Sequence, residues 1–312
     1  MRRSLLILAL LLLVACGPSE DTAQVVNLQS PFLGGTDGLV LGFQDLRQEV
    51  FDSGRDPFDV VVRLENKGES IVAKNNVRVK LSGINPSEFG KTETQLSASP
   101  SDDVIEVRKE PSGNTITPPP VFVEFTGLDH KNQLSGAQNQ FIIRADACYL
   151  YRTKAVSKVC VRENILTPAP GGICEINADK PVVSSGAPVQ FSNFKESTRA
   201  KDKIGFTFDI TNSNNGHIYE RNTACDASKR QNENRVYITV STGVQGLLCT
   251  GLEATTKGAE GFVTLYGGSK TISCTQSISS KTDFEQLVNL EAVYDYEQST
   301  QASITVKSSG EE

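Results

Sequence analysis

The chain has 312 residues, with 31 Lys and Arg against 37 Asp and Glu, 7 Cys and no Trp. At a net charge of −6 and with its basic residues scattered, it lacks the basic stripe that a polyanion needs, which argues against a nucleic-acid partner. The densest basic group, Lys195 to Lys203, is broken by Glu196 and Asp202 and reads as a solvated loop.

Arg2 and Arg3 precede an apolar run, Leu5 to Val14. That run is shorter than the roughly 20 residues of a membrane-spanning helix and has the length of a signal-peptide core. It ends in Leu13-Val14-Ala15-Cys16-Gly17, which resembles the prokaryotic lipoprotein signal. The resemblance implies cleavage before Cys16, lipid on Cys16 and an extracytoplasmic protein anchored to the cell membrane. In a diderm bacterium, Gly17 in place of Asp implies release to the outer membrane. Two or more acyl chains, at about 0.8 kcal/mol per buried methylene, anchor stably. Residues 1–15 then form the signal peptide and 16–37 a polar tether containing Gly, Pro and Ser. Loss of Arg2 and Arg3 takes the charge from −6 to −8.

Beyond the tether, short alternating apolar runs predict strands at Leu39–Phe43, Phe58–Leu64, Val77–Leu81, Val104–Val107 and Val121–Phe125. Phe141 to Tyr151 and a return to Val161 complete a first unit, 38–166. A stretch of linker composition, 167–173, follows. The pattern restarts in 174–312: Pro188–Phe191 parallels the first strand, Ile204–Ile210 the second and Arg235–Val240 the third. Phe262–Tyr266 and Thr271–Cys274 read as a hairpin around Gly267-Gly268. Thr282 to Glu285 has the form of a helix capping box, but the period-two alternation from Val288 to Tyr296 favours a strand. The fold class expected is all-β, two tandem antiparallel β-sandwiches.

One motif occurs twice: Ala147-Cys148-Tyr149-Leu150-Tyr151 closing on Val161, and Ala292-Val293-Tyr294-Asp295-Tyr296 closing on Val306. The Tyr pairs fall on the predicted core face. If the first copy turns back near Lys154, Cys148 faces Cys160, and the second copy lacks both cysteines together, having Val293 and Thr305. Six cysteines in an oxidising compartment suggest three disulfides. The expected pairs are Cys148 with Cys160, Cys249 with Cys274, and Cys174 with Cys225. Zinc is not expected, because there is no C-x-x-C spacing and the histidines are His130 and His217 alone.

Neither histidine sits in a catalytic pattern; His130 beside Asp129 and His217 after Asn214-Asn215-Gly216 read as exposed loop residues. No G-x-S-x-G is present, and Gly267-Gly268-Ser269-Lys270-Thr271 lacks the spacing of a phosphate loop. Asp52, Asp56 and Asp59, or Asp102 and Asp103, are candidate calcium ligands without ordered spacing. With no Trp, and with the Tyr pairs turned inward, a flat aromatic sugar platform is not indicated.

The strand, Asn-x-Gly turn and strand of Val60 to Leu81, echoed in Phe206 to Val240, resemble CARDB-like and related Ig-like modules, as in surface-layer-associated proteins. The resemblance implies an extracellular sandwich used for adhesion, spacing or assembly, with no catalytic residue and no cofactor. The expected partners are the membrane, through Cys16, and envelope or surface proteins, including a second copy of the chain. The competing expectation is a surface receptor for a glycan or calcium on the same scaffold.

Overall fold

The computed structural model describes residues 30–166, 172–253, 258–280 and 282–310. The signal peptide, the lipid-bearing Cys16, the tether up to residue 29 and residues 167–171 of the expected linker lie outside the described residues. The first half of the chain contributes β1 (Leu39–Gln44), β2 (Glu49–Phe51), β3 (Phe58–Asn66), β4 (Val77–Ser82), β5 (Ser97–Ala98), β6 (Arg108–Lys109), β7 (Thr115–Ile116), β8 (Val121–Leu128) and β9 (Gln138–Val161). The second contributes β10 (Val183–Ser184), β11 (Val189–Ala200), β12 (Lys203–Asn212), β13 (His217–Tyr219), β14 (Arg235–Ser241) and β15 (Leu247–Thr250). It ends with β16 (Glu260–Thr264), β17 (Ser269–Ser277) and β18 (Phe284–Lys307). Helical structure among the described residues is confined to short 3-10 turns. The protein is all-β.

The expected turn near Lys154 does not exist. Residues 138–161 form a single 24-residue strand. No Gly, Pro, Asn or Asp interrupts Arg152 to Lys158, so nothing in the sequence breaks the alternation there. Every odd position from Ile143 to Val161 is buried, Thr153 and Ser157 included. Their hydroxyls stay on the core face by donating to the Val189 carbonyl (2.8 Å) and the Pro181 carbonyl (2.9 Å).

The partner of β9 is the other copy of the motif. β18, also 24 residues long, pairs antiparallel with β9 from end to end, placing Tyr149 opposite Tyr296, Leu150 opposite Asp295 and Tyr151 opposite Tyr294. The copies are equally spaced along the chain and antiparallel in space, so a local two-fold axis passes between Leu150 and Asp295. At about 3.3 Å per residue the ribbon reaches about 80 Å.

On one end of the ribbon β4 adds to β9, and β2 adds to β18; the sheet β1-β3-β8 belongs to this half. On the other end β14 and β16 continue from β18 and β10 pairs with β9, with the sheet β11-β12-β17-β15 beside them. Each end therefore contains strands from both halves of the sequence. The buried apolar residues form one cluster that runs through both ends, from Leu81 and Phe125 to Phe206 and Ile272. The expected hairpin at Gly267-Gly268 is a crossing between sheets: β16 pairs with β14, and β17 with β12. Val104 forms an isolated bridge with Val72 rather than a strand.

Candidate functional site

The four repeated tyrosines meet at the two-fold axis. Ring centroids lie 5.6 Å apart for Tyr149–Tyr151, 5.9 Å for Tyr149–Tyr296, 6.4 Å for Tyr151–Tyr294 and 6.1 Å for Tyr294–Tyr296, and all four side chains are fully buried. Each hydroxyl has a partner, and the partners repeat with the same symmetry. The Leu39 N–H donates to the Tyr149 hydroxyl (3.1 Å) as the Val189 N–H does to that of Tyr294 (3.2 Å). Tyr151 donates to Asn66 Oδ1 (3.0 Å), and Tyr296 pairs with Asn212 Oδ1 (3.4 Å). The two Asn side chains cap equivalent turns, through Nδ2 to the Ser70 carbonyl (2.8 Å) and the Gly216 carbonyl (3.0 Å). Glycine is required beside them: a Cβ at Gly68 would collide with the Tyr151 hydroxyl, and one at Gly216 with the Tyr296 ring. Burial pushes the Tyr296 hydroxyl up to about 12 and raises those of Tyr149, Tyr151 and Tyr294 as well, so the cluster stays neutral.

Two of the three disulfides clasp this ribbon, through Cys148 and Cys160 of β9. Cys148 bonds Cys225 (Cα–Cα 5.9 Å), Cys160 bonds Cys174 (5.6 Å) and Cys249 bonds Cys274 (4.0 Å). The expected Cys148–Cys160 and Cys174–Cys225 pairs are therefore exchanged. Cys148 and Cys160 lie on one extended strand, about 40 Å apart at about 3.3 Å per residue, and cannot meet. The expected Cys249–Cys274 pair is present as directly opposed residues of β15 and β17.

Beside Cys225 the chain holds Asn222, Ala224 and Cys225 at positive φ, turning successive N–H groups inward. Asp295, on the axis, fills that concavity, accepting from the N–H groups of Asn222 (3.0 Å), Thr223 (2.8 Å) and Ala224 (2.8 Å). Burial raises its carboxyl above the ordinary range, against the pull of those donors. Glu196 holds the far end of β9 in a similar way. It is buried, accepts from the Cys160 N–H (2.9 Å) and pairs with Lys180 (3.2 Å), and burial pushes it up to about 7.

The acidic residues singled out as calcium ligands do not converge. Asp52 is buried and accepts from the Leu134 N–H (2.7 Å) and the Ser309 N–H (2.8 Å), which hold its carboxyl down to about 2. Asp56 pairs with Arg47 (2.8 Å), Asp59 accepts from the Gly127 N–H (2.6 Å) and Asp103 from the Lys74 N–H (2.9 Å). Among the described residues no group of three or more His, Cys, Asp or Glu is placed to hold a metal ion. His130 is not an exposed loop residue. It is fully buried between Phe89 (5.4 Å) and Phe141 (5.3 Å), with Nε2 at 3.1 Å from Glu88 Oε1. The sequence places it beside two charged residues, which hid an aromatic environment supplied by Phe89 of a 3-10 turn and Phe141 of β9. His217 is exposed, on β13 opposite Glu297.

Two hollows mark where the repeats differ. β13 pairs with β18 at Asp295–Glu297, but its counterpart, residues 71–73, bridges through Val72 to Val104 instead. This leaves a cavity of about 310 Å³ lined by Glu69, Ile71, Glu106, Leu150 and Arg152. The larger hollow, about 700 Å³, lies between residues 98–105 and 119–124, beside β8.

No family model matches the chain, and no curated protein matches it. Among solved structures, the native conformation of Escherichia coli alpha-2-macroglobulin aligns at 13% identity and a TM-score of 0.17, covering 86% of this chain and 17% of that one. An archaeal virus turret protein with a triple jelly roll fold aligns at 12% identity and a TM-score of 0.17, covering 88% of this chain and 92% of that one. The described chain thus spans about a sixth of the macroglobulin, and similarity at this level bears on neither partner nor activity.

Proposed function

We propose that the chain is a lipid-anchored, extracytoplasmic protein that acts without catalysis, through protein–protein contacts in the cell envelope, as an adhesion, spacer or assembly module. The observation that carries this reading is the ribbon. Two 24-residue strands and one continuous core hold both ends of the molecule in fixed relation, as a spacer or contact module requires. The polar side chains with chemical potential are largely spent on that scaffold: the tyrosines, Asp295, Glu196 and Asp52 all bind backbone groups or neighbouring side chains within it. Three disulfides fit an oxidising compartment, and the signal ending in Cys16 supplies the anchor. The CARDB-like and Ig-like resemblance points to the same use.

Cross-linking of the lipidated protein on intact cells, with mass spectrometry of the linked peptides, tests the reading. Links from the ends of the ribbon to envelope proteins are the expected result. A protein without protein neighbours that is instead stabilised saturably by a glycan or by calcium would replace this reading with the receptor one.

A further inference from the structure

The internal duplication identifies a strand position that one repeat fills and the other leaves open. β3 pairs with β8 with Val62 opposite Val123 and Val60 opposite Phe125. In the second repeat β12 pairs with β17 with Phe208 opposite Ile272 and Phe206 opposite Cys274. Val123 and Phe125 therefore correspond to Ile272 and Cys274. The far side of β17 is covered by β15, in register from Leu247–Gln276 to Thr250–Ser273 and clamped by Cys249–Cys274. Among the described residues the far side of β8 has no strand; it ends its sheet.

The reason lies in the connecting loop. β15 comes from the segment between β14 and β16. The corresponding segment, between β4 and β5, folds into a 3-10 turn and pairs below the end of β8, the Phe89 carbonyl accepting from the Asp129 N–H (3.1 Å) and the Glu88 carbonyl from the Lys131 N–H (2.8 Å). The open edge is framed by Pro118–Pro120 before it and by Gly127 after it, whose N–H is taken by Asp59. Residues 121–126 remain. The 700 Å³ groove runs along 121–124 of them, with Phe122 41% and Ile105 38% exposed.

We propose that this edge receives an extended segment of another protein, added as the missing fourth strand and carrying Lys or Arg among apolar residues. The inference rests on the protein-contact reading above and specifies its surface. Backbone pairing along residues 121–126 supplies affinity, and the groove supplies selection. Asp102, Asp103 and Glu124 line the groove and no Lys or Arg does; Lys74 borders it, with Nζ committed to the Ser101 carbonyl at 2.9 Å. The same charge argues against the other occupants. A second β8, antiparallel, would bring two sets of these acids together. Of the chain's own segments outside the described residues, 16–29 contain Glu20 and Asp21 with no Lys or Arg and 311–312 are both Glu; the internal ones, 167–171, 254–257 and 281, carry Lys257 and Lys281 but are each shorter than the open edge.

The test uses the full chain and two capped peptides of about six residues, the length of the open edge. One alternates Val or Thr with Lys; the other has Glu in place of Lys. Fluorescence anisotropy is expected to show saturable binding of the Lys peptide, at least about ten-fold tighter than the Glu peptide and weakened by salt. Hydrogen exchange is expected to slow in residues 121–126. Asp102→Lys with Glu124→Lys, both exposed, should lower affinity by about ten-fold or more while leaving the melting curve in place. Equal binding of both peptides, no binding up to about 1 mM, or protection mapped to another strand would overturn the inference. Cross-links on cells that map away from β8 would do the same while leaving the protein-contact reading standing. An absence of protein neighbours would remove both.

Discussion

The tyrosine junction predicts that the two ends of the molecule unfold together. Tyr151 is fully buried, packs on Tyr149 and Tyr294, and donates to Asn66 Oδ1 at 3.0 Å. Tyr151→Phe keeps the ring and removes that buried hydrogen bond, and Asn66 Oδ1 retains the Gly68 N–H at 3.1 Å. The Ser70 N–H also reaches the Tyr151 hydroxyl and would lose its acceptor, so the cost is about 2 kcal/mol. Tyr151→Ala also opens a cavity among the other three rings, at a cost of about 3–5 kcal/mol. The informative readout is where the loss falls. Tyr151 comes from the first half of the sequence, but the cluster belongs to both ends. Hydrogen exchange in β3 and β12, followed with denaturant melts, should show protection falling by the same amount in the two strands and one transition throughout. Loss confined to β3, or two separate transitions, would refute a shared core and show two independently folding units.

Glu196 has an ordinary value of 4.5 and is held near 7 by burial, so between those values the unfolded chain releases a proton that the folded chain keeps. Stability should fall by about 3 kcal/mol as pH rises through that window, and denaturant melts of Glu196→Gln should lack that slope. Tyr296→Phe should cost as much as its symmetry mate Tyr151→Phe, about 2 kcal/mol by thermal melting, because the Gly216 N–H donates to the Tyr296 hydroxyl at 2.8 Å and would lose its acceptor as the Ser70 N–H does. Asp52 has its carboxyl held down to about 2, so the stability it contributes should be complete above its ordinary 3.8 and lost as pH falls toward 2; acid titration of Asp52→Asn should show a shallower loss. Cys148→Ser with Cys225→Ser should lower stability by about 2–4 kcal/mol and speed hydrogen exchange from Asn222 to Ser228, since Asp295 alone then holds that loop.

Much of the fold was legible because one buried face writes period-two alternation directly into the sequence. β1, β3, β4, β8, β11, β12 and β14 all lie where alternating runs place them, and the inward orientation of Tyr149, Tyr151, Tyr294 and Tyr296 follows from the same pattern. What alternation does not encode is the partner. The apolar code is identical for a strand that turns back and for one that runs straight on, and the polar Arg152 to Lys158 stretch resembles a turn until Thr153 and Ser157 are seen bonded to neighbouring carbonyls. That one ambiguity exchanged two of the three disulfides. Gly267-Gly268 marks a change of sheet as readily as a hairpin, because either needs positive φ. Buried polar anchors such as His130, Asp52, Asp295 and Glu196 read as surface residues, since their partners come from elsewhere along the chain: backbone N–H groups for the three acids, Glu88, Phe89 and Phe141 for His130.

The duplication also separates what the fold requires from what is left free to act. Around the axis the copies agree down to single hydrogen bonds: Leu39 with Val189, Asn66 with Asn212, Ser70 with Gly216. Those positions answer to packing, since burying four phenols demands a partner for each hydroxyl. Away from the axis the copies part. β13 has no equivalent on β9, β15 has none on β8, and the Cys148–Cys225 clasp has no symmetry mate. A shared core constrains both copies alike and so cannot account for these differences, which all lie at strand edges or in loops. Edges and loops meet the surroundings first, and the first repeat, with β8 at the end of its sheet, is where the proposed partner strand would add.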